Sequence, residues 1–189
     1  MGANKNVYQI KISLKYIKPI IWRRFLVEDS IKLPDLHKVI QTVMGWTNSH
    51  LHQFNDGIYD YAPKEFELEY SKNSRTVKLN KLMKKEKDVL LYEYDFGDGW
   101  EHEIILEKII EEDEKNQIPR CIDGKQNCPP EDCGGIWGYE DLLKVIKDKK
   151  HDEYEEMMEW LGEEFDPDYF NINEVNKLLK QKDFGCIWL

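Results

Sequence analysis

Two histidines separated by one residue, His50 and His52, are candidate catalytic residues near the middle of the chain. On a β-strand, residues i and i+2 point to the same face, so two imidazoles at this spacing can ligate one metal ion. The other candidates are Asp95, Asp98 and His102, which flank a predicted turn. Together these five side chains would form a metal-dependent, hydrolase-like cluster. Packing or a surface pair is the commoner role of such histidines and is the alternative.

The segment YEYDFGDGW at 92–100 predicts a β-hairpin that turns at its GDG triplet. With a three-residue loop, Phe96 lies opposite Trp100, and one face of the hairpin is apolar throughout, as a buried face requires. A two-residue loop would instead place Asp95 opposite His102, an acid–imidazole pair suited to proton transfer or ligation. That register splits the apolar face, so we predict the three-residue loop. Local hydrogen bonding of the turn aspartates is the structural alternative.

The preferred register brings acidic side chains together on the polar face of the hairpin. Asp95 then faces Glu101, and like charges directly opposite one another destabilise a sheet by up to about 1 kcal/mol. We expect Arg23 or Arg24 on a neighbouring strand, a lysine or a divalent cation to offset that charge. Arg23, Arg24 and Glu101 are therefore predicted binding residues.

Three cysteines in a loop rich in glycine and proline form a second candidate site. Cys121, Cys128 and Cys133 are spaced C-x6-C-x4-C, and Cys186 lies far downstream. With Cys186 or a histidine they could hold a structural zinc ion, although the sequence lacks the close CxxC pairs typical of such sites. The alternative is that they are buried small side chains or a redox-labile pair. Their acidic neighbours would raise the thiol pKa, so a catalytic cysteine is not expected.

Charge restricts the partners that the chain can have. Its 189 residues carry 27 basic and 37 acidic side chains, a net charge of −10, and a chain this acidic repels nucleic acid at long range. Non-specific nucleic-acid binding is therefore not expected. Residues 1–50 are locally basic, with eight basic and three acidic side chains. These basic N-terminal strands either pair with the acidic C-terminal third or bind a specific nucleic acid.

Length and hydropathy predict one domain at residues 7–189, preceded by a flexible N-terminus at residues 1–6. No apolar run approaches the roughly 18 residues of a membrane span, so no membrane partner is expected. The first residues have no apolar stretch typical of a secretory signal. A cytoplasmic location is the resulting expectation.

Strand patterns come first along the chain and helix patterns come last. The strands are predicted at 7–17, 20–27, 50–54, 89–96 and 100–110, an early helix between Pro34 and Gly45, and later helices near 139–149, 152–161 and 174–182. Residues 111–138 are predicted to form a long loop. This order indicates an α+β fold, with a largely antiparallel sheet, one early helix, and a C-terminal helical group packed on one face.

Two segments carry a resemblance to a known family: YEYDFGDGW at 92–100 and PRCIDGKQNCPPEDCGGIWGY at 119–139, following WRR at 22–24. In this combination the chain resembles the plasmid Ri ORF-three-like family, from about Val7 to about Leu179. Some members are labelled transposable-element passengers of the TnpR type. The resemblance implies one α+β domain and an association with mobile DNA, but no established activity. A resolvase is not expected, because the chain has only four arginines and its C-terminal end is acidic.

Three functional hypotheses follow. The first is a mobile-element-associated, non-enzymatic binding or adaptor module that acts through an unknown protein or small-molecule partner. The second is a metal-dependent enzyme that uses the histidine and aspartate cluster, and the third is specific nucleic-acid binding through the basic strands.

Overall fold

A computed structural model describes residues 6–111, 117–162 and 164–186. The strands in these ranges are β1 (Asn6–Leu14), β2 (Trp22–Glu28), β3 (His52–Asn55), β4 (Asp60–Ala62), β5 (Lys72–Asn73), β6 (Val89–Tyr94), β7 (Trp100–Glu111) and β8 (Arg120–Lys125). They form one sheet in the order β5-β4-β3-β6-β7-β1-β2-β8. Every neighbouring pair is antiparallel except β4 with β5.

The helices in the described ranges are α1 (Leu33–Met44), α2 (Leu79–Leu82), α3 (Gly135–Lys147), α4 (Tyr154–Leu161) and α5 (Ile172–Leu178). Short 3-10 turns lie at Lys64–Phe66, Ser74–Thr76 and Lys182–Gly185. The predicted α+β fold with a largely antiparallel sheet is therefore confirmed. Within the described part of the chain, no helix combines the length and the apolar character that crossing a bilayer requires.

Alternation along β1 divides the sheet into an apolar face and a polar face. Ile10 and Ile12 are fully buried, whereas Lys11 between them is half-buried on the opposite face. Full burial of an isoleucine side chain contributes roughly 1.5–3 kcal/mol, so this alternation determines which face takes up the core. Helix α1 packs against the sheet, and α5 contacts both α1 and β8.

Helix α1 follows its sequence pattern closely. Pro34 lies in the first turn, where its missing N–H breaks no helical bond, and Gly45 ends the helix in the left-handed conformation with φ 100°. The predicted stripe is buried throughout and consists of Leu36, Val39, Ile40 and Val43. The N-terminal end of this helix reaches the candidate site described below.

Ion pairs cover the polar face of the sheet. Arg24 contacts Glu107 at 2.6 Å and Asp123 at 3.0 Å, and Lys15 contacts Glu101 at 2.6 Å. These three ion pairs join the basic N-terminal strands to acidic residues in the middle of the chain, and not to the acidic C-terminal third that one alternative predicted. The counter-charge to Glu101 is Lys15 rather than Arg23 or Arg24.

Two segments differ from their predicted assignments. The segment 111–138, predicted as one long loop, contains β8, which pairs with β2 at the sheet edge, and α3 begins at Gly135. Only Cys121 of β8 is buried, so the strand lacks the alternation that would have predicted it. At the N-terminus, Asn6 already belongs to β1, while residues 1–5 of the predicted flexible segment lie outside the described residues.

Candidate functional site

The hairpin of β6 and β7 has a longer loop than its sequence predicted. Tyr94 pairs with Trp100, and Tyr92 pairs with His102, so the connecting loop has five residues, 95–99. Relative to the predicted register the pairing is shifted by two residues, which keeps the side chains of both strands on their predicted faces. Trp100 is accordingly buried. The predicted pairing of Phe96 with Trp100 is wrong, because Phe96 lies in the loop and is 36% exposed.

Asp95 organises this five-residue loop. Its backbone is left-handed, with φ 58°, and its Oδ1 accepts hydrogen bonds from the N–H groups of Gly97 at 2.9 Å and Asp98 at 3.3 Å. The Gly99 N–H donates to the Asp95 carbonyl at 2.6 Å. Such side-chain-to-backbone bonds are the local role that turn aspartates commonly take. They use Oδ1 alone and leave Oδ2 for another partner.

A second loop, residues 129–135, docks against the segment that follows α1. The Glu131 carboxylate accepts hydrogen bonds from the Thr47 N–H at 3.1 Å, the Thr47 hydroxyl, the Ser49 hydroxyl at 3.0 Å and the Tyr94 hydroxyl. Burial raises the pKa of the Glu131 carboxyl, but these donors outweigh burial and hold the pKa below its usual value. Glu131 therefore anchors the loop as a carboxylate.

The two loops also touch directly. The Gly134 N–H donates to Asp98 Oδ2 at 3.3 Å, and a Cβ on Gly135 would stand 2.5 Å from the Asp98 carbonyl oxygen. Gly135 itself has φ 67°, in the region that favours glycine. The two segments that carry the family resemblance are thus packed against each other, and their contact depends on the glycine pair.

His50 lies at the junction of the two loops. Its Nδ1 is 3.6 Å from Asp95 Oδ2, and its Nε2 is 3.3 Å from Asp132 Oδ1. The Nε2 atom is buried, and its contact with Asp132 lacks hydrogen-bond alignment. Among the described residues, His50, Asp95 and Asp132 form the only group of three potential ligands whose atoms all lie within 4.8 Å of one another. Asp132 was missed in the sequence, where its place in the PPEDC motif was the available signal.

The other catalytic candidates lie elsewhere. Strand β3 begins at His52, so His50 precedes the strand, and the i, i+2 argument for joint ligation is wrong. His102 is fully buried, its Nδ1 donates to the Tyr92 carbonyl at 3.3 Å, and burial lowers its pKa to about 3. The predicted five-residue cluster therefore keeps only His50 and Asp95, since Asp98 bonds to the backbone of the second loop.

His52 packs instead against another histidine, His37 of α1. Their rings are stacked 3.4 Å apart at an interplanar angle of 7°. Burial lowers the pKa of His37 to about 4 and the pKa of His52 well below its usual value. Both imidazoles are therefore neutral at neutral pH. Sequence analysis missed His37, which lies on the buried side of a helix and carries no motif.

A closed hydrogen-bond network fixes the His37 tautomer. The Gln41 amide donates to the Tyr92 hydroxyl at 2.9 Å, and the Tyr92 hydroxyl lies 2.9 Å from His37 Nδ1. His37 Nε2 lies 2.6 Å from Asn48 Oδ1, an acceptor, so the proton belongs on Nε2. The Asn48 N–H closes the ring by donating to Gln41 Oε1 at 3.1 Å.

A cavity of about 470 Å³ opens beside the stacked histidines, and we call it the histidine cavity. Its wall combines apolar and polar side chains, namely Pro34, His37, Asn48, Ser49, His50, Leu51, His52, Pro63, Glu65, Phe66, Ser74 and Arg75. Five buried side-chain polar atoms in the described ranges have no hydrogen-bond partner, and three of them belong to residues of this wall: His50 Nε2, His52 Nδ1 and Ser74 Oγ.

Comparison with known proteins places the chain in a family. The sequence profile of the plasmid pRiA4b ORF-3-like proteins matches residues 6–174. The chain belongs to the plasmid pRiA4b ORF-3-like family. It is similar to the uncharacterised protein y4hQ of Sinorhizobium fredii (strain NBRC 101917 / NGR234), with 34% identity over 186 residues, which cover 97% of this chain and 94% of that protein.

The family assignment extends to a solved structure. The fold is similar to the crystal structure of a protein of unknown function, MM3350 from Methanosarcina mazei Go1, with a TM-score of 0.82 and 40% identity. The match covers 92% of this chain and 99% of that one. These relatives confirm the predicted family and are themselves of unknown function.

The cysteines of this plasmid pRiA4b ORF-3-like protein do not converge. Within the described residues, the sulfur atoms of Cys121, Cys128 and Cys133 do not meet as a group of three ligand atoms within 4.8 Å. Burial raises the pKa of Cys121 and Cys128 to about 11 and the pKa of Cys133 to about 12. Protonated thiols are poor nucleophiles at neutral pH.

The two arginines have structural partners. Arg23 is buried, its guanidinium donates to the carbonyls of Val43 at 2.8 Å and Lys125 at 2.9 Å, and it lies over the Phe170 ring at 4.2 Å. Arg24 is held by its carboxylate partners on the polar face. A nucleic-acid phosphate would have to displace these contacts, so neither arginine is available to bind a phosphate.

Proposed function

We propose that the protein is a binding module that holds a small molecule in the histidine cavity. One observation carries the proposal: His52 and Ser74, two residues that line this cavity, each have a buried side-chain polar atom without a hydrogen-bond partner among the described residues. A buried donor or acceptor without a partner costs about 1–3 kcal/mol. A bound molecule with matching polar atoms would recover that cost.

The wall indicates what kind of molecule fits. His52 and Ser74 are 6% and 2% exposed, and each has a buried polar atom without a protein partner, while Phe66, Pro34 and Pro63 supply apolar surface. Small-molecule sites of roughly 300–1,000 Å³ combine such an apolar wall with a few polar groups. Because the imidazole is neutral, we expect a planar, largely apolar ligand whose polar group exchanges hydrogen bonds with His52 and Ser74.

The pKa values of the buried histidine and cysteine side chains favour binding over acid–base or thiol chemistry. A histidine whose pKa is about 4, as for His37, is a poor proton acceptor at neutral pH. The raised pKa values of the cysteine thiols disfavour a cysteine nucleophile. The mobile-element association rests on the family resemblance alone. The adaptor role and this association both stay predictions.

A fragment screen tests the proposal. The probes are one- and two-ring aromatic amides and carboxylic acids at millimolar concentration, and the readout is the imidazole NMR signals of His37 and His52. We expect a subset to shift these two signals and to leave His151, an exposed histidine outside the cavity, unchanged.

Substitutions then separate cavity binding from surface binding. His52→Phe keeps the aromatic stack and removes the polar atoms, and Ser74→Ala removes the hydroxyl. Each should weaken the hits at least fivefold, whereas Ser13→Ala on the polar face of β1 should leave them unchanged. If no fragment perturbs the two histidines, or if both cavity variants bind as tightly as the parent, the proposal is wrong.

A further inference from the structure

We infer that His50, Asp95 and Asp132 form a binding site for a divalent first-row transition metal ion, located where loop 95–99 meets loop 129–135. This inference goes beyond the proposed small-molecule binding and does not depend on it. It rests on the position of three ligand atoms from three separate parts of the chain, all within 4.8 Å of one another.

The spacing is close to what coordination requires. Ligand atoms bound at about 2.0–2.2 Å to one tetrahedral zinc ion are roughly 3.4 Å apart. His50 already lies 3.6 Å from Asp95 Oδ2 through Nδ1, and 3.3 Å from Asp132 Oδ1 through Nε2. One nitrogen would bind the ion, so a rotation of the imidazole or of the exposed Asp132 side chain completes the set.

Asp95 presents one free carboxylate oxygen as a ligand atom. The residue is 7% exposed, and its Oδ1 is occupied by the N–H groups of Gly97 and Asp98. Its Oδ2 accepts no hydrogen bond among the described residues and is directed at His50, beyond hydrogen-bond distance. Asp95 Oδ2 is not one of the buried unpartnered atoms in the described ranges, so solvent can reach it. The buried atom without a hydrogen-bond partner at this site is His50 Nε2, and a buried polar atom is costly to leave without a partner. A metal ion would supply the missing partner.

Neighbouring residues hold the ligands in place. Glu131 precedes Asp132 and fixes the second loop to Thr47 and Ser49, next to His50. Outer contacts of this kind orient metal ligands and are a regular part of metal sites. The Asp132 side chain is 73% exposed, so the coordination sphere would be open to water on that side.

The ligand types indicate the class of metal. One imidazole nitrogen suits zinc, iron and nickel, and two carboxylate oxygens also suit manganese, whereas copper(I) prefers sulfur. The set contains no thiolate, which distinguishes it from the zinc site predicted at Cys121, Cys128 and Cys133. His50 also lines the histidine cavity, so a metal ion here would stand at the edge of that cavity.

Cobalt(II) titration of the untagged, metal-free full chain tests the inference, because its visible spectrum reports the ligand atoms. We expect one equivalent to bind with ligand-field bands and without a sulfur-to-cobalt charge-transfer band, and zinc to displace it. His50→Ala and Asp132→Asn should each weaken binding at least tenfold. Asp132 is exposed, so its variant tests the site even if His50→Ala disturbs the fold.

Matched controls use residues of the same type outside the three-residue group. Asp152→Asn and His151→Ala, both at exposed positions, should bind cobalt as tightly as the parent chain. The inference is overturned if the parent binds no cobalt, if the charge-transfer band of a thiolate appears, or if Asp132→Asn and His50→Ala both bind like the parent. The last two results would place the metal at another site, and the first would leave His50 as a contact between two carboxylates without a metal.

Discussion

Gly135 is packed against the backbone of Asp98, so that a Cβ on Gly135 would lie 2.5 Å from the Asp98 carbonyl oxygen. This contact joins the hairpin loop 95–99 to the loop 129–135 at the start of α3. His50 lies at the same junction, between Asp95 and Asp132. The geometry of the candidate metal site therefore depends on a backbone approach that only glycine permits.

The first prediction concerns this glycine. Gly135→Ala adds a Cβ at φ 67° and forces the two loops apart, and we expect the free energy of unfolding to fall by about 2–4 kcal/mol. Gly162→Ala is the matched control, because Gly162 has φ 70° but no atom within 4 Å of the added carbon. Urea denaturation of both variants measures the difference. Equal losses would show that only backbone strain, and not the contact with Asp98, matters.

The second prediction concerns stability at the histidine cavity. Ser74→Ala removes a buried hydroxyl that has no hydrogen-bond partner, so we expect the ligand-free protein to become more stable by about 1 kcal/mol. Substitutions that stabilise a protein and weaken its binding are typical of functional sites. Thermal and urea unfolding without added ligand measure the effect. A destabilised Ser74→Ala variant would indicate that the hydroxyl has a structural partner.

The third prediction concerns pH. The pKa values of His37 and His102 are lowered to about 4 and about 3, so between these values and about 6.5 the unfolded chain binds protons that the folded chain does not. Stability conferred by the neutral rings is complete above about pH 6.5 and declines as the pH falls. Each histidine adds a slope of up to about 1.4 kcal/mol per pH unit.

His102→Phe isolates one contribution to that pH dependence. The phenyl ring keeps an aromatic side chain in the buried position and cannot take up a proton. We expect the variant to lose stability less steeply than the parent between pH 6.5 and pH 5, where the carboxylates remain ionised. An unchanged slope, measured by urea denaturation at several pH values, would show that His102 is not held neutral in the fold.

The fourth prediction concerns the carboxylate that anchors the second loop. Glu131→Gln removes the charge that receives hydrogen bonds from Thr47, Ser49 and Tyr94, and hydrogen bonds to charged groups contribute about 1.5–3 kcal/mol. We expect a loss of about 2 kcal/mol in unfolding free energy and faster amide hydrogen exchange in residues 131–135. Glu140→Gln, on the exposed side of α3, should change neither measurement.

Local patterns in the sequence were sufficient for much of the architecture. Alternation placed Ile10 and Ile12 on the buried face, and the spacing from Leu36 to Val43 identified α1 between Pro34 and its terminal glycine. The two-residue alternation of side chains along a strand also placed Trp100 on the buried face, because a shift of two residues in strand pairing leaves every side chain on its face. These properties depend on neighbours within a few residues, which the sequence displays directly.

The site depended on contacts between distant segments. Loop length in the hairpin was decided by Asp95, which binds its own turn and displaces Phe96 from the sheet. The edge strand β8 was decided by pairing with β2 and not by its own composition. In both cases the outcome follows from long-range packing and hydrogen bonding, which no periodicity records.

The chain by itself determined its family, its α+β class and the buried face of each long strand, since hydrophobic periodicity and turn residues are local properties. Only the tertiary structure brought His50 to Asp95 and Asp132, and stacked His52 on His37 beside a cavity. The physical reason is that a site assembled from several loops is defined by how those loops pack against one another. That packing is set by the whole core and by close backbone contacts such as the one between Gly135 and Asp98.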